Sequence, residues 1–468
     1  MTIGIKRKLT GVAMAAVLSV VHVPAVMAES LSDAMASAYK HSGLLQQNQA
    51  LLRATDEDVA IARSRLRPVL SYAIQHGWTD PTSLVSNDDY WETSATLTAE
   101  ILIFNFGRGK MAVEAAKEVV LATRESLVGV EQQILLRAVK AFLDVRSAAE
   151  NVQLQGNSVR VLTQELRAAN DRFEVGEVTQ TDVALAQARL AAARSGAASA
   201  QGSLAIAREE YKAAIGHMPN GLSTPPALPM TAKTLDAAKA VARERHPDIL
   251  AAQHNVAAAD LAIAISKAAM KPSVVGTART TWADRSTFPS GTDSVNSSVG
   301  VAIRGEIYSG GLRSAEYRKA VAQAEAARAG LYQVRFGVDQ GVANAWAQLA
   351  IAAASLEATE RQIRASRVAL RGAREEATLG SRTTLDVLNA EQELLDAEAS
   401  RIAAQSNQYL AAYSLLSSMG LLTAEHLKLG VVTYDPEAYF NTVQSAPVHR
   451  VSPQGKRLDS LLEALGKD

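Results

Sequence analysis

Apolar residues recur every seven positions through a long stretch in each half of this chain. Ala138, Val145, Val152, Val159, Leu166 and Phe173 form one row, with Ala141, Ala148, Leu162 and Ala169 as its companion. Val342, Leu349, Leu356, Ile363 and Leu370 repeat the row further on. A strict seven-residue repeat predicts a left-handed coiled coil. The pattern predicts helices over 31–66, 106–172 and 182–217, then again over 235–268, 312–378 and 384–419. After the first helix of each set the period changes to two. Ala95, Leu97, Ala99, Ile101 and Ile103 alternate with Ser94, Thr96, Thr98 and Glu100. Val299, Val301, Ile303 and Ile307 alternate with Ser298, Arg304 and Glu306. Less regular strands, 71–78 and 273–282, precede them and end in Trp78 and Trp282. A period of two closed by an aromatic suits a membrane-spanning β-hairpin with an aromatic girdle. A half-buried strand pair in a soluble domain is the rival reading.

The two sets are copies. Pro68 and Pro272, Trp78 and Trp282, Gly107 and Gly311, Gly176 and Gly380, Asp182 and Asp386, and Gly216 and Gly420 are each 204 positions apart. This predicts two structural repeats, 29–228 and 229–427, joined by the Pro-rich LSTPPALPM, with a tail over 428–468. A period so long makes each copy a whole unit rather than a solenoid repeat. A helix of about 67 residues would run about 100 Å, far more than a compact globule needs. A tube does need it. Four strands cannot close a barrel, and open edges are not tolerated in lipid. The chain therefore shares its barrel with other copies: two would give eight strands and a filled interior, three would give twelve and a lumen.

Composition narrows the setting. The 468 residues carry 48 basic and 48 acidic side chains, and no Cys. Charge balance argues against nucleic acid, and the missing Cys removes disulfides and thiolate metal sites. Lys6, Arg7 and Lys8, an apolar stretch from Leu9 to Val26, and Val26-Met27-Ala28 read as a cleaved secretory signal over 1–28. No later run of about 18 consecutive apolar residues predicts a membrane helix. The eight His residues show no metal-ligand spacing, and no catalytic or nucleotide-binding constellation stands out. The expectation is a protein without cofactor or enzymatic activity.

Two short stretches carry a resemblance. RFEVGEVTQTDV (172–183) and LGSRTTLDVLNAEQEL (379–394) mark the turns between the long and final helices. ILIFNFGRG and GEIYSGGLR open the long helices. With the repeat and the signal, these resemble the TolC-type outer-membrane efflux proteins across about 30–427. The resemblance implies a mainly α fold with β. Three chains would share an outer-membrane β-barrel, four strands from each, above a long periplasmic α-helical barrel. It implies an exit duct for an inner-membrane transporter and a periplasmic adaptor, in small-molecule efflux or type I protein secretion. A periplasmic coiled-coil scaffold or adaptor without channel activity is the alternative.

The residues themselves explain the repeated turn. Gly176 and Gly380 permit a tight reversal, and Asp182 and Asp386 suit the positive end of the returning helix. The resemblance adds a periplasmic gate of Thr181, Asp182, Arg382, Asp386 and Asn389, with a charge-assisted link between Asp182 and Arg382 holding the tips together. It places adaptor docking at Val175, Gly176, Glu177, Leu379, Gly380 and Ser381, and a membrane girdle at Trp78 and Trp282. Asn389 stands where the family often has a second Asp, so the acidic ring at the aperture should be weaker. Glu177 and Ala377 also depart from the family pattern.

Overall fold

The computed structural model describes residues 28–80, 89–229, 232–286 and 291–443, with Lys456 and Ser460. Most of the signal segment and of the tail lies outside the described residues.

The first predicted helix is two helices, α1 (Leu31–His41) and α2 (Gly43–Ser64), parted at Ser42. Its copy divides 204 residues later into α5 (Leu235–Arg245) and α6 (Pro247–Ala269), parted at His246. The cause is local. Ser42 leaves the helical backbone and its Oγ caps Leu45, while Pro247 takes the first helical position, where its missing N–H costs nothing. The long helices are α3 (Arg108–Glu174) and α7 (Leu312–Thr378), of 67 residues each. The returning helices are α4 (Gln180–Ile215) and α8 (Thr384–Ser418), and a short α9 (Pro436–Val443) follows.

The long helices form the continuous rods of a helical layer. At the sheet end the order across the layer is α2, α3, α6, α7; at the tip end it is α4, α3, α8, α7. Each broken rod is thus two helices on the same side of a continuous one. α6 is apolar enough to cross a bilayer by composition, which the sequence reading missed. It packs instead between α3 and α7, its Ala-rich surface letting them approach.

The largest core cluster gathers α1, the middle of α3, the end of α4 and the chain after α8. Leu31, Met35, Leu135, Phe142, Tyr211, Ile215, Leu416 and Leu422 are its most buried large side chains. The coiled-coil seam is real over much of its length. Ala138, Val145, Leu162 and Ala169 are buried in α3, as are Val342, Ile363 and Leu370 in α7. Phe173, at the end of the row, is exposed.

Among the described residues four strands form one antiparallel sheet in chain order: β1 (Val69–Thr79), β2 (Tyr90–Phe104), β3 (Ser273–Ser286) and β4 (Gly291–Arg304). Strands β2 and β3 join the two repeats, leaving β1 and β4 as open edges.

Candidate functional site

The register decides what each face of the sheet presents, because directly opposed residues share a face. Trp78 faces Trp91, Tyr72 faces Leu97 and Leu70 faces Ala99. Ala95 faces Trp282, which faces Val295; Ala99 faces Ala278, which faces Val299. One face is therefore mostly apolar, broken by the hydroxyl pair Thr280 and Ser297 and, toward the loop end, by His76, Thr93, Asp284 and Asp293. The other carries Ser94, Thr96, Thr98 and Glu100 on β2, Thr277, Arg279 and Thr281 on β3, and Asn296 and Ser298 on β4. In the single chain the apolar face is bare: Val299 is 90 % exposed and Tyr72 80 %. A contiguous bare apolar surface of this size requires a partner or a membrane.

The expected girdle is divided by this register. Trp78 shares its level with Trp91, whose ring stacks on His76 at 4.9 Å, and its Nε1–H donates to Asp89 at 3.3 Å. Trp282 lies on the same face, four residues from the partner of Trp91, which is about 13 Å along the strand. Trp91 was not singled out from the sequence, although it stands beside Tyr90 at a strand end.

At the far end the two turns share one backbone design. Gly176 (φ 79°) and Gly380 (φ 76°) adopt the left-handed conformation that favours glycine. Glu177 N–H donates to Arg172 O and Gly176 N–H to Phe173 O; Ser381 and Gly380 do the same to Glu376 and Ala377. This is the Schellman pattern, which satisfies the last carbonyls of the long helices. The returning helix then opens on a capping box. Thr179 N–H and Oγ1–H both donate to Asp182 Oδ2, at 2.9 and 2.7 Å, while Asp182 N–H donates back to Thr179 Oγ1 at 3.4 Å. Thr383 and Asp386 repeat it at 3.0, 2.7 and 3.3 Å. Hydrogen bonds from Thr179 hold the Asp182 carboxyl below its ordinary range, and those from Thr383 do so for Asp386. Thr181 is exposed in the first turn of α4, and Val175 and Leu379 are exposed at the two apices.

The ionic partners of the two tips differ. Arg172 pairs with Glu177 at 3.4 Å across the first turn. Arg382 pairs with Glu376 of its own hairpin at 2.6 Å, so the expected link to Asp182 is not the contact made inside one chain. The ties between hairpins lie further from the apices. Arg189 of α4 donates to Asn389 Oδ1 of α8 at 2.9 Å. Arg374 of α7 reaches Glu165 of α3 at 3.3 Å and also pairs with Glu391 of α8. Burial pushes the Glu391 carboxyl above its ordinary range, with Arg374 opposing and Glu165 adding to the rise. Between these ties Leu388 of α8 is buried among Leu162, Ala169, Val183, Ala186 and Leu190 of the other hairpin.

Asn389 thus joins the hairpins, a role that its place in the acidic pattern did not suggest. Arg189, Arg374, Glu165 and Glu391 were missed altogether. Their partners are 17, 200 and 209 positions apart, and no local spacing announces them.

The model of the family described as outer membrane efflux protein matches residues 35–217 and again 240–421. The outer membrane efflux protein BepC of Brucella suis biovar 1 is 34% identical over 436 residues, covering 92% of this chain and 94% of BepC. The alkaline protease secretion protein AprF of Pseudomonas aeruginosa is 24% identical over 378 residues, 76% of this chain and 77% of AprF. Among solved structures, the outer membrane protein VceC from Vibrio cholerae superposes with a TM-score of 0.73 at 21% identity, over 83% of this chain and 96% of that one.

Proposed function

Because the chain belongs to the outer membrane efflux protein family, we propose that its bare sheet face meets lipid and that three copies enclose one continuous duct. The protein is an outer-membrane channel-tunnel whose helices extend into the periplasm of a Gram-negative cell. The observation that carries this reading is the face-to-face contrast of the sheet, apolar on one side and polar on the other, with both edges open. Lipid covers the apolar face, neighbouring copies pair the edges, and the hydroxyl-rich face lines water. Twelve strands leave room for a lumen, which eight would fill.

At the tips, the inter-hairpin ties of Arg374 and Arg189 hold each chain's two hairpins together. Arg382 and Asp182 then meet between copies, where the open edges of the helical layer abut. An inner-membrane transporter supplies energy and a periplasmic adaptor docks against Val175, Gly176, Glu177, Leu379, Gly380 and Ser381, for small-molecule efflux or protein secretion. Docking loosens both sets of ties, and the hairpins swing outward.

Planar-bilayer recording of the purified protein tests the reading. Discrete conductance steps are expected. Folded protein that never inserts would favour the coiled-coil scaffold.

A further inference from the structure

The helix-side end of the sheet has an aromatic level of its own. Strands β2 and β3 pair in steady register until Leu102 opposes Val275; the next pair is Phe104 with Val274. The extra residue, Ile103, is a β-bulge, and it turns Phe104 onto the face of Val274 and Ile303, which is the apolar one. There the Phe104 ring lies 4.8 Å from that of Phe106, and the Lys271 ammonium sits 4.7 Å from the Phe106 centroid. Both rings are exposed, although Phe106 occupies a left-handed backbone conformation (φ 55°) that a bulky side chain adopts only at a cost.

The duplication supplies the other half. Adding or subtracting 204 carries Phe104 to Tyr308 and Lys271 to Arg67. Tyr308 is 88 % exposed and follows edge strand β4, while Arg67 precedes edge strand β1. Inside one chain the end of β2 meets the start of β3. By the same geometry the end of β4 meets the start of β1 of the next copy. The charges of the two sheet ends differ in the same sense. Arg65, Arg108 and Lys110 flank the helix-side end, where Glu306 is paired with Arg313, while Asp80, Asp89, Asp284 and Asp293 stand toward the other, where Arg285 is paired with Glu92.

We propose that this rim is a collar for anionic phospholipid head groups of the periplasmic leaflet. Each chain forms one site from Phe104, Phe106 and Lys271, and a second from Tyr308 with Arg67 of the partner subunit. The inference rests on the membrane reading above. Aromatic residues of a membrane barrel gather as girdles at its interfaces, and a lysine stem lies along such rings while its ammonium reaches the phosphate. The collar is continuous with the lipid-facing surface, and its charge complements an anionic lipid rather than a zwitterionic one.

The test uses the full-length protein in nanodiscs of phosphatidylcholine containing a minority of phosphatidylglycerol, with retained lipid identified by native mass spectrometry. Phosphatidylglycerol should be enriched among retained lipids. Lys271→Gln should lower its retention by about fivefold, the weight of one basic residue at an anionic surface, and Lys271→Arg should preserve it. Arg67→Gln should lower it by a similar factor. Equal retention of the two lipids, or no change in Lys271→Gln, overturns the collar while leaving the channel intact. An unchanged Arg67→Gln overturns its intersubunit half. Failure to enter any nanodisc would overturn the membrane reading, and the collar with it.

Discussion

The sheet and the helical tips obey opposite rules of burial. Behind the tip apices the apolar residues turn inward: Leu388 sits among Leu162, Val183 and Leu190, with charged pairs outside, while Val175 and Leu379 at the apices and Phe173 beside them are bare. In the sheet the apolar residues turn outward, with Val299 and Tyr72 bare. Yet both ends come from one duplicated sequence with balanced charge. The difference identifies the solvents. Water surrounds the tips, and the apolar face of the sheet needs a medium without hydrogen bonds.

The sharpest way to break this comparison is to move a charge across one residue of β4. Val299→Arg places a cation on the face assigned to lipid and should cost about 2–4 kcal/mol of insertion free energy. Ser298→Arg places it on the opposite face and should insert normally, changing ion selectivity instead. Folding and insertion assays on the two variants check this. Equal tolerance of both would dissolve the distinction between the faces.

At the tips the expected effects are smaller. Thr179→Ala or Thr383→Ala removes one capping box and should cost about 1 kcal/mol, seen as a local rise in amide exchange at the start of α4 or α8. The same effect in both variants would show that the copies still share one backbone design. Acid should act in the same direction. Asp182 and Asp386 have lowered carboxyl pKa values in the fold, so their stabilisation is present above the ordinary value of 3.8 and is lost as pH falls through the folded value. Protection factors at the first turns of α4 and α8, corrected for the intrinsic exchange rate at each pH, should therefore fall at the acid end while those of the sheet stay unaffected. Smallest of all, Arg172→Gln should be nearly silent in stability, because its pair with Glu177 is solvent-exposed.

The repeating parts were legible because they depend on local pattern. Seven-residue spacing announced α3 and α7, and alternation announced β2 and β4. Gly176 and Asp182 announced the first tip, with Gly380 and Asp386 at the second. What was hidden depends on contacts between distant residues. The bulge at Ile103 appears only when β2 is laid against β3, and nothing in the local alternation marks it. The breaks at Ser42 and His246 were missed because the apolar period runs through them, although Pro247 was a visible stop signal. The gate was read through Arg382 and Asp182, but within a chain Arg382 bonds Glu376. The hairpins are tied instead by Arg189 to Asn389 and Arg374 to Glu165.

Whether those ties hold a pore closed is the most direct question about this protein. Single-channel conductance should be recorded for the wild type beside Arg374→Glu and Arg382→Asp, under identical salt. If they do, openings should be small and rare in the wild type and larger and sustained in both variants: Arg374→Glu by freeing the hairpins within a chain, Arg382→Asp by parting neighbouring copies. A wide-open wild type, or variants indistinguishable from a closed one, would show that they do not.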